Sequence, residues 1–130
     1  MASIFTKIIN REIPGHIVLE DEHFIAFLDI SPLVMGHTLV VPKKEVDYIF
    51  DNDDVTLSKT MVFAKKVARA IDKSIPCKRV GVAVIGLEVP HTHVHLVPLN
   101  SMRDINFLEP KLHPTQEELA ATAAKIRAAL

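Results

Sequence analysis

Residues 91–99 read HTHVHLVPL. His91, His93 and His95 recur at every second position, and apolar residues fill the gaps and the tail. In a β-strand alternate side chains share one face, so the three imidazoles line up about 6.6 Å apart. Thr92, Val94 and Leu96 then point to the opposite face, toward a core.

The elements around this stretch alternate in the same way. HIVLED (16–21) and HFIAFLDI (23–30) predict two strands joined tightly around Asp21-Glu22, both rich in β-branched or aromatic residues. HTLVVPK (37–43) predicts a third after Gly36. RVGVAVIG (79–86) predicts a buried fourth, and 92–98 the fifth. A short helix is expected over 3–10, capped by Ser3, with Ile4, Phe5, Ile8 and Ile9 on its apolar side. A long helix follows the acidic cluster Asp51, Asp53 and Asp54, with Leu57, Met61, Ala64, Val67, Ala68 and Ile71 at helical spacing. Its Lys59, Lys65, Lys66, Arg69 and Lys73 read as a solvated face. A last helix spans 115–130, where Thr115 and Glu118 form a capping box and Leu119, Ala123, Ile126 and Leu130 turn inward. Residues 99–114 predict a loop crossing the surface. Short connections between the early strands favour an antiparallel α+β sheet of about five strands.

At 130 residues the chain suits one domain, 1–130, with a core of its own. Lys+Arg number 15 and Asp+Glu 16, which gives no general attraction to nucleic acid or to an anionic membrane. Cys77 is the only cysteine, so no intrachain disulfide forms. The start, MASIFTKIINREIP, has no signal-peptide pattern, and no apolar run approaches the length of a bilayer span. A cytoplasmic protein is expected. His16, His23 and His113 match no motif and are expected at the surface; Cys77 is expected to be structural or incidental.

Three readings of the histidine row compete. It is a solvated face rich in a scarce residue; or a metal site, with two strand histidines and His37 as ligands; or a catalytic array, in which one neutral imidazole is a nucleophile near pH 7 and a neighbour carries a proton. Spacing alone does not separate the last two.

HTHVHLVP resembles the histidine triad motif. IFTKIINREIP (4–14), FLDISP (27–32) and GHTLVVPK (36–43) resemble further blocks of the histidine triad (HIT) family, in its Hint-like branch and in the same order. The resemblance implies a HIT-like α+β fold, a homodimer, and a purine nucleotide as substrate. It implies a hydrolase or transferase acting at the α-phosphorus of nucleoside phosphoramidates and related nucleotide conjugates. His93 is then the nucleophile that forms a covalent nucleotidyl-histidine, with its other nitrogen bonded to the main-chain carbonyl of His91. His95 contacts the phosphate or leaving group as a hydrogen-bond donor or proton source, and His37 is a further histidine near the triad. Asp29 matches the ribose-binding acid, and Phe5, Leu28 and Ile30 are the expected contacts to the base. No cofactor and no metal are required.

Two departures from the pattern stand out. Glu88, in the short run Gly86-Leu87-Glu88-Val89-Pro90, falls where relatives place a phosphate-binding hydroxyl. An ionised glutamate 4 Å from a phosphate charge would cost ~4 kcal/mol near a surface. Glu88 is therefore expected to turn away, to stay protonated, or to meet a cationic group on the substrate such as an amine-bearing leaving group. Many bacterial relatives also carry a CxxC pair near the position of IFTK and a histidine after PKK. This chain has no such cysteines and has Glu45 after PKK, so no structural zinc is expected. A nucleotide-binding module with weak or no catalysis, and a metalloprotein using the same imidazoles, are the alternative readings.

Overall fold

The computed structural model describes residues 2–130; Met1 lies outside the described residues. The elements are α1 (Ile4–Ile9), β1 (Ile17–Glu20), β2 (Phe24–Leu28), β3 (Thr38–Pro42), α2 (Asp54–Ser74), β4 (Arg79–Ala83), β5 (Val94–Leu99) and α3 (Gln116–Ala128). The five strands form one antiparallel sheet in the order β1-β2-β3-β5-β4. This is the α+β architecture expected from the sequence.

Strand alternation divides the core into two layers. Phe24, Ala26 and Leu28 of β2, Val40 of β3, and Val94 and Leu96 of β5 face α2 and α3, where they meet Phe63, Val67, Ile71, Leu119 and Ile126. The intervening residues Ile25, Phe27, Leu39 and Val41 face the other way and pack under α1 against Phe5 and Ile8. Both faces of the central strands are thus covered, and each large buried side chain contributes about 2 kcal/mol. His95 pairs with Leu39 across β3–β5, so the imidazole row lies on the α1 side.

Four local expectations are corrected. β4 is an edge strand with one free side, not a buried one, and Val82 is half exposed. The buried stripe of α2 is Thr60, Phe63, Ala64, Val67, Ala70 and Ile71. Met61 lies off that i, i+3, i+4 track and is exposed, while Phe63, which the expected stripe omitted, fills the core against Phe24. Leu130 is exposed because α3 stops at Ala128. The strand carrying the histidines begins at Val94, so His91 and His93 sit in the extended segment leading into it.

Caps behave as the sequence implies. The Ser3 hydroxyl accepts from the Thr6 amide at 3.1 Å, and Thr115 and Glu118 exchange backbone-to-side-chain bonds at 3.0 and 3.1 Å. Asp53 caps α2 through the Thr56 amide. No helix among the described residues is long and apolar enough to cross a membrane.

Candidate active site

The three imidazoles are buried, at 0, 6 and 8 % exposure for His91, His93 and His95, so the row is not a solvated face. Buried imidazoles need partners, and each ring nitrogen that is bonded has one whose chemistry fixes the proton.

His91 is the innermost ring. Its Nε2 lies 2.7 Å from the Pro42 carbonyl, which can only accept, so Nε2 carries the proton. Its Nδ1 is then an acceptor, 2.7 Å from the Ser3 hydroxyl, which donates to it. The cap of α1 therefore also holds the first histidine. Glu45 ties the same corner together: one carboxylate oxygen accepts from the Ser3 amide at 2.7 Å and the Thr6 hydroxyl at 2.6 Å. These bonds, led by that from Thr6, pull the Glu45 carboxyl down to about 2. Sequence reading found Ser3 as a cap and Glu45 only as a lost ligand; their meeting across 42 residues had no local signal.

His93 comes next. Its Nδ1 lies 2.7 Å from the main-chain carbonyl of His91 and so donates to it. The remaining nitrogen, Nε2, is bare. Phe5 of α1 packs edge-on against this ring at 4.9 Å between centroids and limits its rotation.

His95 is set by His37. Gly36, at φ 98°, makes the turn that brings His37 to the start of β3. The Leu33 amide donates to His37 Nδ1 at 3.1 Å, which leaves the ring proton on Nε2. That nitrogen donates to His95 Nδ1 at 2.9 Å, so His95 carries its proton on Nε2. The row thus presents a bare nitrogen on His93 beside an N–H on His95, with the two rings 4.9 Å apart. Burial, reinforced by neighbouring imidazoles, lowers His37 to about 3 and His95 to about 4. His91 is lowered too, mainly by burial. Of the two roles expected of His95, hydrogen-bond donor and proton source, this tautomer suits the hydrogen-bond donor. With its Nδ1 occupied by the His37 proton, a neutral His95 that released its own would become an imidazolate.

The rings open into a cleft of about 370 Å³. Ile4, Phe5, Leu39 and Val89 form apolar walls, Asp29 and Glu88 supply carboxylates, and Phe107, Leu108 and Lys111 reach in from the loop after β5. One Asp29 oxygen accepts from the Ser31 amide at 2.9 Å; the other lies 3.8 Å from His37 Nε2, and burial raises its carboxyl. Glu88 is exposed on the rim, in a loop turned by Gly86 at φ 75°.

Of the expected contacts, His93, His95, Asp29, Phe5 and Glu88 line one cleft, with His91 and His37 behind it. Leu28 does not: strand parity sends it into the α2–α3 layer, where it is 2 % exposed. Ile30 lies beyond the end of β2, is 61 % exposed and is not part of the cleft wall. Phe107 and Lys111 were missed. Their only signal was the pair Pro110 and Pro114, which stiffen a loop otherwise read as plain surface. Cys77, half-buried, sits beside Lys78, which pairs with Leu99 at the far end of β5.

Asp29, His37 and His95 have ligand atoms within 4.8 Å of one another, close enough for a divalent cation. The Leu33 amide opposes one. A metal on His37 Nε2 needs the ring proton on Nδ1, where Leu33 already donates.

A buried imidazole row at the mouth of an apolar cleft, on a five-stranded antiparallel sheet, defines a class of histidine-based site. The chain belongs to the HIT family: the HIT domain model matches residues 10–102. It is 42 % identical over 99 residues to a HIT-like protein of Methanocaldococcus jannaschii, covering 73 % of this chain and 77 % of the relative. It is 38 % identical over 99 residues to adenosine 5'-monophosphoramidase HNT1 of Saccharomyces cerevisiae, covering 75 % of this chain and 62 % of that protein. Among solved structures, a Hit-like protein from Bartonella henselae aligns with a TM-score of 0.86 at 36 % identity, over 98 % of this chain and 96 % of that one. A zinc-bound histidine triad family protein from Mycobacterium smegmatis aligns with a TM-score of 0.85 at 27 % identity, over 99 and 93 %.

Proposed function

We propose that this chain, acting as a single cytoplasmic domain, is a nucleotidyl hydrolase or transferase that cleaves purine nucleoside phosphoramidates and related conjugates at the α-phosphorus. One observation carries the reading: His93 Nδ1 is held by the His91 carbonyl at 2.7 Å, which leaves Nε2 free to attack. The similarity to a yeast adenosine 5'-monophosphoramidase supports the substrate class.

In the first step His93 Nε2 forms a bond to phosphorus, and the bond from phosphorus to the leaving nitrogen breaks with its electron pair. A phosphoramidate nitrogen protonated in the substrate departs as a neutral amine. The His93 ring becomes cationic, and its Nδ1–H bond to the His91 carbonyl becomes charge-assisted. His95 Nε2–H donates to a phosphate oxygen, where negative charge accumulates. Water then attacks phosphorus, the phosphorus–nitrogen bond breaks, the electron pair returns to Nε2 and one water proton passes to solvent. Asp29 accepts from the ribose hydroxyls, and Phe5 contacts the base. Glu88 draws in leaving groups that carry an amine.

The free edge of β4, with Val82, Val84 and Ile85 exposed along it and just beyond, supports a homodimer through this side. Light scattering on the purified chain checks it, with twice the mass of one chain expected. Exposed Glu88 in the cleft favours one second reading, a nucleotide-binding module of negligible turnover. A panel of adenosine phosphoramidates, acyl-adenylates and dinucleoside polyphosphates, assayed with wild type and His93→Ala, separates the two. The enzyme reading expects turnover lost and AMP binding kept in the variant; the module reading expects binding without turnover in both.

A further inference from the structure

The cleft has two carboxylates on its wall, Asp29 and Glu88, yet the substrate proposed above enters as an anion. A phosphate placed against His93 needs positive charge close by. Of the described residues lining the cleft, Lys111 is the only lysine or arginine. It is half-buried, and among the described residues no carboxylate lies within ion-pair distance of its ammonium and no hydrogen bond engages it. An ammonium on the cleft wall with no protein counter-charge is available to an anionic ligand.

The loop that carries it is held in place. Phe107 packs edge-on against His95 at 4.8 Å and faces His37 at 6.2 Å. The Leu112 amide, one residue beyond Lys111, donates to the Pro32 carbonyl at 2.9 Å, which ties the loop to the turn before His37. Pro110, one residue before, fixes its own φ. Lys111 thus sits in an anchored stretch of loop, on the wall of the cleft into which His93 and His95 open. Its charge is felt at Asp29, His37 and His95, where it disfavours protonation of each.

We propose that Lys111 is the phosphate-binding cation of this cleft, its ammonium contacting the non-bridging oxygens of the nucleotide α-phosphate. It supplies from the C-terminal loop the attraction that Glu88 cannot supply from the other rim. This rests on the reading of the cleft as a nucleotide site, and it needs no turnover to be tested.

The test is calorimetric binding of AMP and of adenosine to wild type, Lys111→Met and Lys111→Arg, at two salt concentrations. Methionine keeps the length of the stem and removes only the charge. Lys111→Met is expected to weaken AMP about tenfold and leave adenosine unchanged, with Lys111→Arg close to wild type. Added salt should weaken AMP binding in wild type more than in Lys111→Met. AMP affinity equal to wild type in Lys111→Met would overturn the assignment. So would an equal loss of AMP and adenosine, which marks a packing role; thermal melting of each variant shows whether the fold is retained. The two claims fail separately. Wild type that binds AMP through Lys111 but turns over no nucleotide conjugate removes the enzymology and keeps the lysine. Turnover through His93 that Lys111→Met does not weaken, with AMP binding intact, does the reverse.

Discussion

The main-chain amide of Leu33 lies 3.1 Å from Nδ1 of His37, and this bond sets the proton on two rings. His37 must carry its hydrogen on Nε2, and His95, 2.9 Å away, must accept on Nδ1 and donate from Nε2. A second, independent chain runs from Ser3 through His91 to His93. Together they put a donor and a lone pair side by side at the cleft.

A first prediction concerns metal. Asp29, His37 and His95 are near enough to share an ion, but Leu33 keeps His37 in the wrong tautomer. Zinc titrated into untagged protein should find no tight stoichiometric site among them. A stoichiometric zinc lost in His37→Asn would show that the tautomer is misassigned.

Acid should destabilise the fold in a defined window. His37 and His95 are held near 3 and 4, chiefly by burial, against an ordinary 6.5. Below about pH 6.5 the unfolded chain takes up protons that the folded chain refuses. The stability these groups contribute is therefore complete above that pH and is lost as pH falls toward 4 and then 3. Asp29, raised by burial, acts in the opposite sense. His91, lowered by burial as well, acts in the same sense as His37 and His95. With three histidines against one carboxyl, urea denaturation should show a loss of about 2 kcal/mol or more between pH 6 and 5. Stability that is flat or rises with acid over that interval would contradict the neutral, buried pair.

The Ser3 corner offers a separate test. Ser3→Ala removes the cap of α1 and leaves His91 Nδ1 buried without its donor. Unfolding free energy should fall by about 2 kcal/mol, and turnover should fall with it as the His91 carbonyl loosens its hold on His93. A change under about 0.5 kcal/mol would mean that the hydroxyl does not hold His91.

Glu88 predicts selectivity. Glu88→Ser should lower the ratio of rates for amine-bearing over neutral leaving groups several-fold, since a rim charge near 4 Å acts on a cation with a few kcal/mol at most. Equal relative rates in wild type and variant would leave Glu88 without a role in substrate choice.

How much was legible in the sequence follows the range of the physics involved. Alternation placed the strands and the histidine face, because period-two patterning is local. The caps at Ser3, Asp53 and Thr115 were local as well, although Asp53 was read only as part of an acidic cluster. Leu28 was misplaced because its neighbours in FLDISP resemble a binding block, whereas its parity with Phe24 and Ala26 sends it to the helix layer. β4 was taken as buried because RVGVAVIG is apolar; the chain end of a sheet cannot be read from composition. Glu45 with Ser3, Leu33 with His37, and Phe107 and Lys111 over the triad are long-range or loop-borne contacts. None has a spacing that announces it.

The central claim is that the bare nitrogen of His93 bonds to phosphorus. The direct measurement is intact-mass spectrometry of protein mixed with an adenosine phosphoramidate and quenched without acid within the first turnovers, followed by site mapping. A transient adenylyl adduct on His93, absent from His93→Ala together with turnover, is the predicted result. Turnover at the wild-type rate in His93→Ala, or an adduct on any other residue, would contradict it.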